Sequence, residues 1–78
     1  MGEAWLQQSN GPWVERFHRN PALETDSGAR VMAVDRGRMV DRDEPPLLKS
    51  RSQLTLNQAR EHWKARVKAG WKRVEPQW

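Results

Sequence analysis

A chain of 78 residues is long enough for one small domain and too short for a second hydrophobic core or a deep substrate cleft. Fourteen basic residues against ten acidic ones give a net charge of +4, and the absence of cysteine excludes disulfide bonds and thiolate zinc sites. No apolar run approaches the roughly 20 residues of a membrane helix, and the N-terminus lacks a signal-peptide pattern, so we expect a cytoplasmic protein that does not bind membranes.

Residues 4–9 and 13–19 are rich in tryptophan, leucine, valine and phenylalanine and predict two strands. Asn10-Gly11 lies between them and is a strong signal for a β-hairpin. Pro12 removes one backbone donor beside the turn, which favours a loop longer than two residues.

The next segment, residues 20–28, predicts a loop because Asn20-Pro21 and the following Asp, Ser and Gly residues disfavour regular structure. Residues 30–34 then predict a third strand with a continuous apolar run. Residues 35–38 predict a turn, after which Met39-Val40 predict a short fourth strand that ends at the acidic loop 41–46.

The C-terminal half carries the clearest helix signal. Thr55 is followed three residues later by Gln58, which is the spacing of a capping box. Gly70 predicts a left-handed C-cap, with Trp71 next to it as the apolar residue of a Schellman motif. The helix is therefore expected over about 56–69, or 54–70 with its flanking residues, and its apolar face comprises Leu56, Ala59, Trp63 and Val67.

These elements predict an α+β fold in a single domain, 1–78. A mainly β segment, 1–48, forms a small antiparallel sheet of three to four strands that packs against the C-terminal amphipathic helix. Residues 71–78 form an extended tail, whose first part, 71–74, returns as a short edge strand or an extended segment before Pro76.

No sequence pattern indicates catalysis, a metal or a cofactor. The only histidines, His18 and His62, would need carboxylates from other elements to hold a metal. No serine lies in a nucleophile-elbow pattern, and no glycine-rich phosphate loop is present. We therefore expect a protein that is not an enzyme, since an enzyme would require a preformed pocket converging on His18 or His62 with carboxylates nearby.

Positive charge is concentrated in the C-terminal part. Residues 1–48 carry a net charge of −2 and residues 49–78 a net charge of +6. The basic residues of the helix recur at four-residue steps and predict an exposed stripe that could follow a phosphate backbone, although such residues also serve simply to solvate a helix. The candidate residues for binding a partner or nucleic acid are Arg60, Lys64, Lys68, Trp71, Lys72, Arg73 and Trp78.

The five tryptophans divide into two groups. Trp5, Trp13 and Trp63 occupy strand or helix-face positions and are expected in the core. Trp71 and Trp78 leave two alternatives open, because they could clamp the C-terminal segment over the sheet or present anchor residues to a partner.

One set of spaced residues runs through most of the chain. It comprises Trp5-Leu6, Arg16-Phe17-His18, Gly37-Arg38, Leu47-Leu48-Lys49-Ser50-Arg51, Leu54-Thr55, Ala59, Trp63, Gly70-Trp71, Arg73-Val74 and Pro76-Gln77-Trp78. This set resembles a known family of small proteins from marine picocyanobacteria, domain-of-unknown-function family 1651. The resemblance implies a stand-alone cytoplasmic protein from a cyanobacterium or one of its phages, and it carries no activity, ligand or catalytic residue with it.

The sequence thus leads to two hypotheses. The first is a non-catalytic interaction module that binds a protein partner, with self-association as a further expectation because a second copy could cover the sheet edges. The alternative is an RNA- or DNA-binding protein that uses the basic face of the helix.

Overall fold

The structure is a computed structural model that describes residues 3–20, 30–41 and 43–78. Within these ranges the chain forms an α+β fold with a sheet and a C-terminal helix. The elements in chain order are β1 (Ala4–Gln7), β2 (Trp13–Arg19), β3 (Val31–Arg38), β4 (Leu47–Thr55), α1 (Leu56–Lys68) and β5 (Lys72–Val74).

All neighbouring strands are antiparallel, and their order across the sheet is β4-β3-β2-β1-β5. The two edge strands, β4 and β5, directly precede and follow α1 in the sequence. The helix therefore carries the chain across one face of the sheet from one edge to the other. The sheet has five strands where the sequence predicted three to four, so that strand count was wrong.

The predicted hairpin is confirmed. β1 pairs with β2 in a register that places Ala4 opposite Phe17. The connection is five residues long, and the amide of Gln8 donates to the carbonyl of Trp13 at 2.9 Å across its base. A loop of this length agrees with the effect expected of Pro12.

The turn expected at residues 35–38 is wrong, because β3 continues to Arg38. The register with β4 shifts between Arg36 and Gly37, where β4 has one extra residue, so the two strands stay paired through a bulge instead of β3 turning back. The expected strand at Met39-Val40 is also wrong. The amide of Met39 instead donates to the carbonyl of Pro12 at 2.7 Å, which fixes the end of β3 beside the hairpin loop.

Gly37 is buried close to the start of β4 and to the last residue of the C-terminal tail. A Cβ atom at this position would lie 3.0 Å from Cβ of Pro46 and 3.4 Å from the Trp78 ring. Only glycine leaves these neighbours undisturbed.

The loop predicted over 20–28 lies outside the described residues from residue 21 onward. Asn20 is described, and its amide donates to the carbonyl of Val31 at 2.8 Å at the end of β2.

The sequence prediction missed β4, and its composition explains why. Eight of its nine residues are exposed and only Leu54 is half-buried. An edge strand with this Lys-Ser-Arg-Ser-Gln centre has no apolar alternation, which is the usual signal for a strand. The mainly β segment consequently extends to Thr55, beyond the predicted boundary at residue 48.

The helix signals are confirmed. The amide of Gln58 donates to Thr55 Oγ1 at 3.2 Å, and the amide of Thr55 donates to Gln58 Oε1 at 3.0 Å. At the other end, the amide of Trp71 donates to the carbonyl of Arg66, and Gly70 has a φ of 98°. These are the bonds and the left-handed residue of a Schellman motif. The observed helix ends at Lys68, inside the predicted limits of 69 and 70.

The core lies between α1 and the sheet. Leu6, Phe17, Val34 and Trp71 form its buried cluster, and Trp13, Leu54 and Trp63 pack against that cluster. The Trp63 ring stands edge-on to Phe17 with 5.0 Å between ring centroids. Val67, expected on the same helix face, is 48% exposed. That expectation was wrong because Arg66 faces the sheet in the last turn of the helix, where it donates to Glu15.

Of the two alternatives that the sequence left for residues 71–74, a short edge strand or an extended segment, the structure has the edge strand. Lys72–Val74 form β5, which pairs with β1. Trp78 then packs on the sheet face opposite the helix, where its ring meets the buried Trp5 at 6.3 Å in an edge-on arrangement. Trp5, Trp71 and Trp78 thus hold the C-terminal segment against both faces. Among the described residues, no helix is long and apolar enough to cross a membrane.

Candidate functional site

Among the strands that the structure describes, β4 has the longest free outer edge. β4 has nine residues, and its one neighbour in the sheet is β3. Because alternate residues of an edge strand direct their amide and carbonyl groups away from the sheet, β4 offers a row of backbone donors and acceptors to solvent. Such a row is able to pair with an added strand.

The side chains along this edge are basic or neutral. β4 contains Lys49 and Arg51 and no acidic residue. Lys49 is the residue that the register skips between Leu48 and Ser50, so it lies in the bulge. At the start of the strand, Leu47 (53%) and Leu48 (56%) are exposed apolar side chains.

A buried carboxylate, Asp35, ties this edge strand to the sheet. Asp35 is 1% exposed and receives two hydrogen bonds from Arg51, at 2.5 Å from Nε and 2.9 Å from Nη2. His18 Nε2 lies 2.9 Å from its second oxygen. Burial raises the pKa of Asp35, but the hydrogen bonds from Arg51 and His18 outweigh burial and hold that pKa below its ordinary value. The same hydrogen bond raises the pKa of Arg51.

A second buried carboxylate, Glu15, lies on the opposite face, beneath the helix. Arg66 Nε donates to Glu15 Oε1 at 2.8 Å, and His62 Nε2 lies 3.0 and 3.1 Å from the two carboxylate oxygens. His62 and Arg66 are one helical turn apart, which brings both side chains to the same carboxylate. A charge this deeply buried is tolerated because it is paired in this way.

A pocket of about 190 Å³ opens beside Glu15, between α1 and β3–β4. Its polar lining comprises Glu15, Arg36, Ser50, Ser52, His62 and Arg66. A pocket containing His62 and a carboxylate is the arrangement that the sequence analysis required of an enzyme. The described side chains include no hydroxyl hydrogen-bonded to His62, which is the contact that activates a serine nucleophile.

The predicted basic stripe lies on the outer face of α1. Arg60, Lys64 and Lys68 are all exposed. Lys64 lies 3.6 Å from Glu61, and an exposed pair of this kind contributes little to stability. The three cations therefore remain accessible to an anionic partner.

The other predicted site residues do not join this stripe. Arg73 pairs with Leu6 and lies on the helix face of the sheet, whereas Lys72 pairs with Gln7 and lies on the other face. Trp71 is 6% exposed in the core, so of the two alternatives left open for it the structure has the clamp over the sheet. Trp78 is half-buried against Trp5. The structure therefore spreads the seven predicted residues over several surfaces.

Sequence reasoning missed the β4 edge and both buried carboxylates. Glu15 follows Val14 and Asp35 follows Val34, and both valines belong to predicted strands. This placement is the sequence signal that could have revealed the two buried carboxylates. An acid within an apolar run predicts a buried ion pair, but the partners come from distant parts of the chain. Among residues 3–20, 30–41 and 43–78, no group of three or more histidine and acidic side chains could hold a metal ion.

Comparison with known proteins gives one match. The model of the family described as "Protein of unknown function (DUF1651)" matches residues 3–78. No curated protein and no solved structure matches the chain.

Proposed function

We propose that this chain, which belongs to the DUF1651 family, is a non-catalytic interaction module that binds an extended acidic segment of a protein partner along β4. The observation that carries the proposal is the free outer edge of β4, nine residues long and almost entirely exposed. A partner segment would add a sixth strand to the sheet by main-chain hydrogen bonds.

The charge of the edge supports an acidic partner. Lys49 is exposed and has no carboxylate partner among the described residues, whereas Arg51 is already paired with Asp35. A glutamate or aspartate side chain on the partner would lie beside Lys49, and opposite charges across neighbouring strands are stabilising.

The same charges disfavour a second copy of the chain as the partner. Lys49 lies in the bulge of β4, and an edge lysine in a bulge is a common means of preventing edge-to-edge association. Arg51, at the midpoint of β4, is already paired with Asp35 and adds little to this effect. We therefore assign the edge to a different protein.

Exposed apolar side chains at the start of β4 supply an anchor. Leu47 and Leu48 are each more than half exposed and, as neighbours in a strand, lie on opposite faces of the sheet. An apolar residue at one end of the partner segment would pack on one of these two side chains and fix the register of the added strand. The anchor role considered for Trp71 and Trp78 thus passes to these aliphatic residues.

Nucleic-acid binding is the second candidate function. The observation in its favour is the exposed stripe of Arg60, Lys64 and Lys68 on α1. The burial of Trp71 weighs against base stacking, so this mode would depend on phosphate contacts and would weaken steeply with salt.

The cellular location and the source organism are inferred from the family resemblance and not from the fold. We further propose that the module acts in the cytoplasm of a cyanobacterium. Fractionation of cells that express the tagged protein tests this, since recovery in the membrane fraction would contradict it.

The test uses two labelled nine-residue peptides, one alternating valine with glutamate and the other alternating valine with lysine. Fluorescence anisotropy measures their binding to the protein. The proposal predicts saturable binding of the acidic peptide alone. Lys49→Glu should weaken this binding at least about threefold, because one favourable pair becomes a repulsive one.

The matched control is Lys68→Glu, which reverses the same charge on the outer face of α1. It should leave peptide binding within about twofold. Equal loss in both variants would indicate attraction to overall positive charge, and the edge proposal would then be wrong. Binding of single-stranded DNA that is lost in Lys68→Glu and kept in Lys49→Glu would favour the second candidate.

A further inference from the structure

We infer that the pocket between α1 and β3–β4 binds a tetrahedral oxyanion, either free phosphate or the phosphate end of a small phosphomonoester. This inference is independent of the proposed function of the β4 edge. It rests on how the sheet and the helix bring cationic and hydroxyl groups to one small cavity.

The strand register builds the floor of the pocket. Glu15, Arg36 and Ser50 are successive partners across β2, β3 and β4, and Ser52 lies in the next row on the same face. The helix supplies the opposite wall through Arg66, together with His62. The volume of about 190 Å³ holds about six water molecules at about 30 Å³ each, which is room for a phosphate with some of its water.

Two guanidinium groups are held in place by stacking. The Arg36 guanidinium lies 4.0 Å from the centre of the Trp13 ring, and that of Arg66 lies 4.9 Å from the centre of the Trp71 ring. Stacking on an indole restrains an arginine without consuming its N–H donors. Both side chains are thereby oriented before a ligand arrives.

The donors of Arg36 are unused. Its Nε is buried and has no hydrogen-bond partner among the described residues, and no carboxylate of those residues pairs with it. The side chain as a whole is half-buried, and an oxyanion in the pocket would supply acceptors to its terminal nitrogens. Phosphate matches the forked geometry of arginine better than a monatomic anion does.

Glu15 does not cancel this attraction. Its oxygens are already engaged with Arg66 Nε and His62 Nε2, so its charge is compensated within the cluster. The remaining polar groups of the pocket are the guanidinium of Arg36, the terminal nitrogens of Arg66 and the hydroxyls of Ser50 and Ser52. These groups together form a donor-rich site with one uncompensated positive charge.

The test is a titration with sodium phosphate at constant ionic strength, followed by the backbone amide NMR signals of Ser50, Ser52 and His62. The inference predicts saturable shifts confined to the pocket. Arg36→Gln should weaken phosphate binding at least about tenfold, because charge-assisted hydrogen bonds are lost. Arg38→Gln is the matched control. It removes the same charge from the same face of β3 at a residue outside the pocket lining, and it should change binding less than about twofold.

A second variant keeps the test decisive if Arg36→Gln fails to fold. Ser50 and Ser52 are exposed, so the double change to alanine should fold and weaken binding about threefold or more. Glycerol 3-phosphate distinguishes the two sources of the ligand: tighter binding than phosphate supports a monoester, and weaker binding supports the free ion. Absence of saturable binding by either compound, or equal weakening by Arg36→Gln and Arg38→Gln, would overturn the inference.

Discussion

Asp35 and Arg51 face each other across β3 and β4 and are joined by two parallel hydrogen bonds, from Nε to Oδ1 and from Nη2 to Oδ2. The carboxylate is 1% exposed, whereas the arginine side chain is half exposed. This pair fastens the middle of an otherwise solvent-exposed edge strand to the interior of the sheet. The position of β4, and with it the proposed binding edge, therefore depends on one buried charge.

Asp35→Asn should lower the free energy of unfolding by about 1–3 kcal/mol. The amide fits the same space but leaves the donors of Arg51 and His18 partly unsatisfied, and the exposure of Arg51 limits the loss. Urea denaturation measures the change. Asp43→Asn, at an exposed loop position, is the control and should stay within about 0.5 kcal/mol. Equal effects of the two substitutions would mean that the buried pair does not stabilise the sheet.

Acid should remove the contribution of Asp35. Its pKa in the folded protein lies below the ordinary value of 3.8. The folded state thus favours the carboxylate, and the stabilisation is fully present above the unfolded-state pKa and lost as the pH falls through the folded-state pKa. In urea denaturation at several pH values, the difference between the native chain and Asp35→Asn should shrink below pH 3.8. A difference that stays constant down to the lowest pH would contradict the assignment.

Gly37→Ala should destabilise the fold by about 1–3 kcal/mol, because the added Cβ would press on Pro46 at 3.0 Å and on the carbonyl oxygen of Leu47 at 3.4 Å. Thermal unfolding followed by circular dichroism tests this. A melting temperature equal to that of the native chain would mean that Pro46 and Leu47 can shift at no cost in stability. In that case the β3–β4 bulge would not require a glycine at position 37.

Two residues of the predicted apolar face of the helix should respond differently to truncation. Trp63→Ala removes the ring that packs on Phe17 and should cost about 2–4 kcal/mol. Val67→Ala changes a side chain that is 48% exposed and should cost no more than about 0.5 kcal/mol. Denaturant titration measures the free energy of unfolding of both variants. Comparable losses would indicate that Val67 is buried, as its spacing from Trp63 suggested.

The sequence correctly predicted the elements whose structure depends on residues close together in the chain. Asn10-Gly11 predicted the hairpin, Thr55 and Gln58 predicted the helix start, and Gly70 predicted its end. Each signal acts within a few residues through turn geometry or a cap. The sequence therefore located these elements to within a few residues.

Elements that depend on distant partners escaped prediction. β4 is a strand because β3 supplies its hydrogen bonds and Asp35 pairs with Arg51, and neither cause is visible in its own polar sequence. Arg66 displaced Val67 from the inner face because Glu15 lies buried beneath it, 51 residues away in the chain. Both candidate sites, the β4 edge and the pocket, are built from such long-range pairs, which explains why the predicted basic stripe described only part of the surface.

The central claim is that the outer edge of β4 accepts an extended acidic strand, and amide hydrogen exchange followed by NMR tests it most directly. Exchange is measured residue by residue with and without the valine–glutamate peptide, at a concentration that saturates the anisotropy signal. Pairing predicts slower exchange at alternate amides of β4, with α1 amides unchanged. Slowing confined to α1, or no change in β4 while the peptide is bound, would contradict the account.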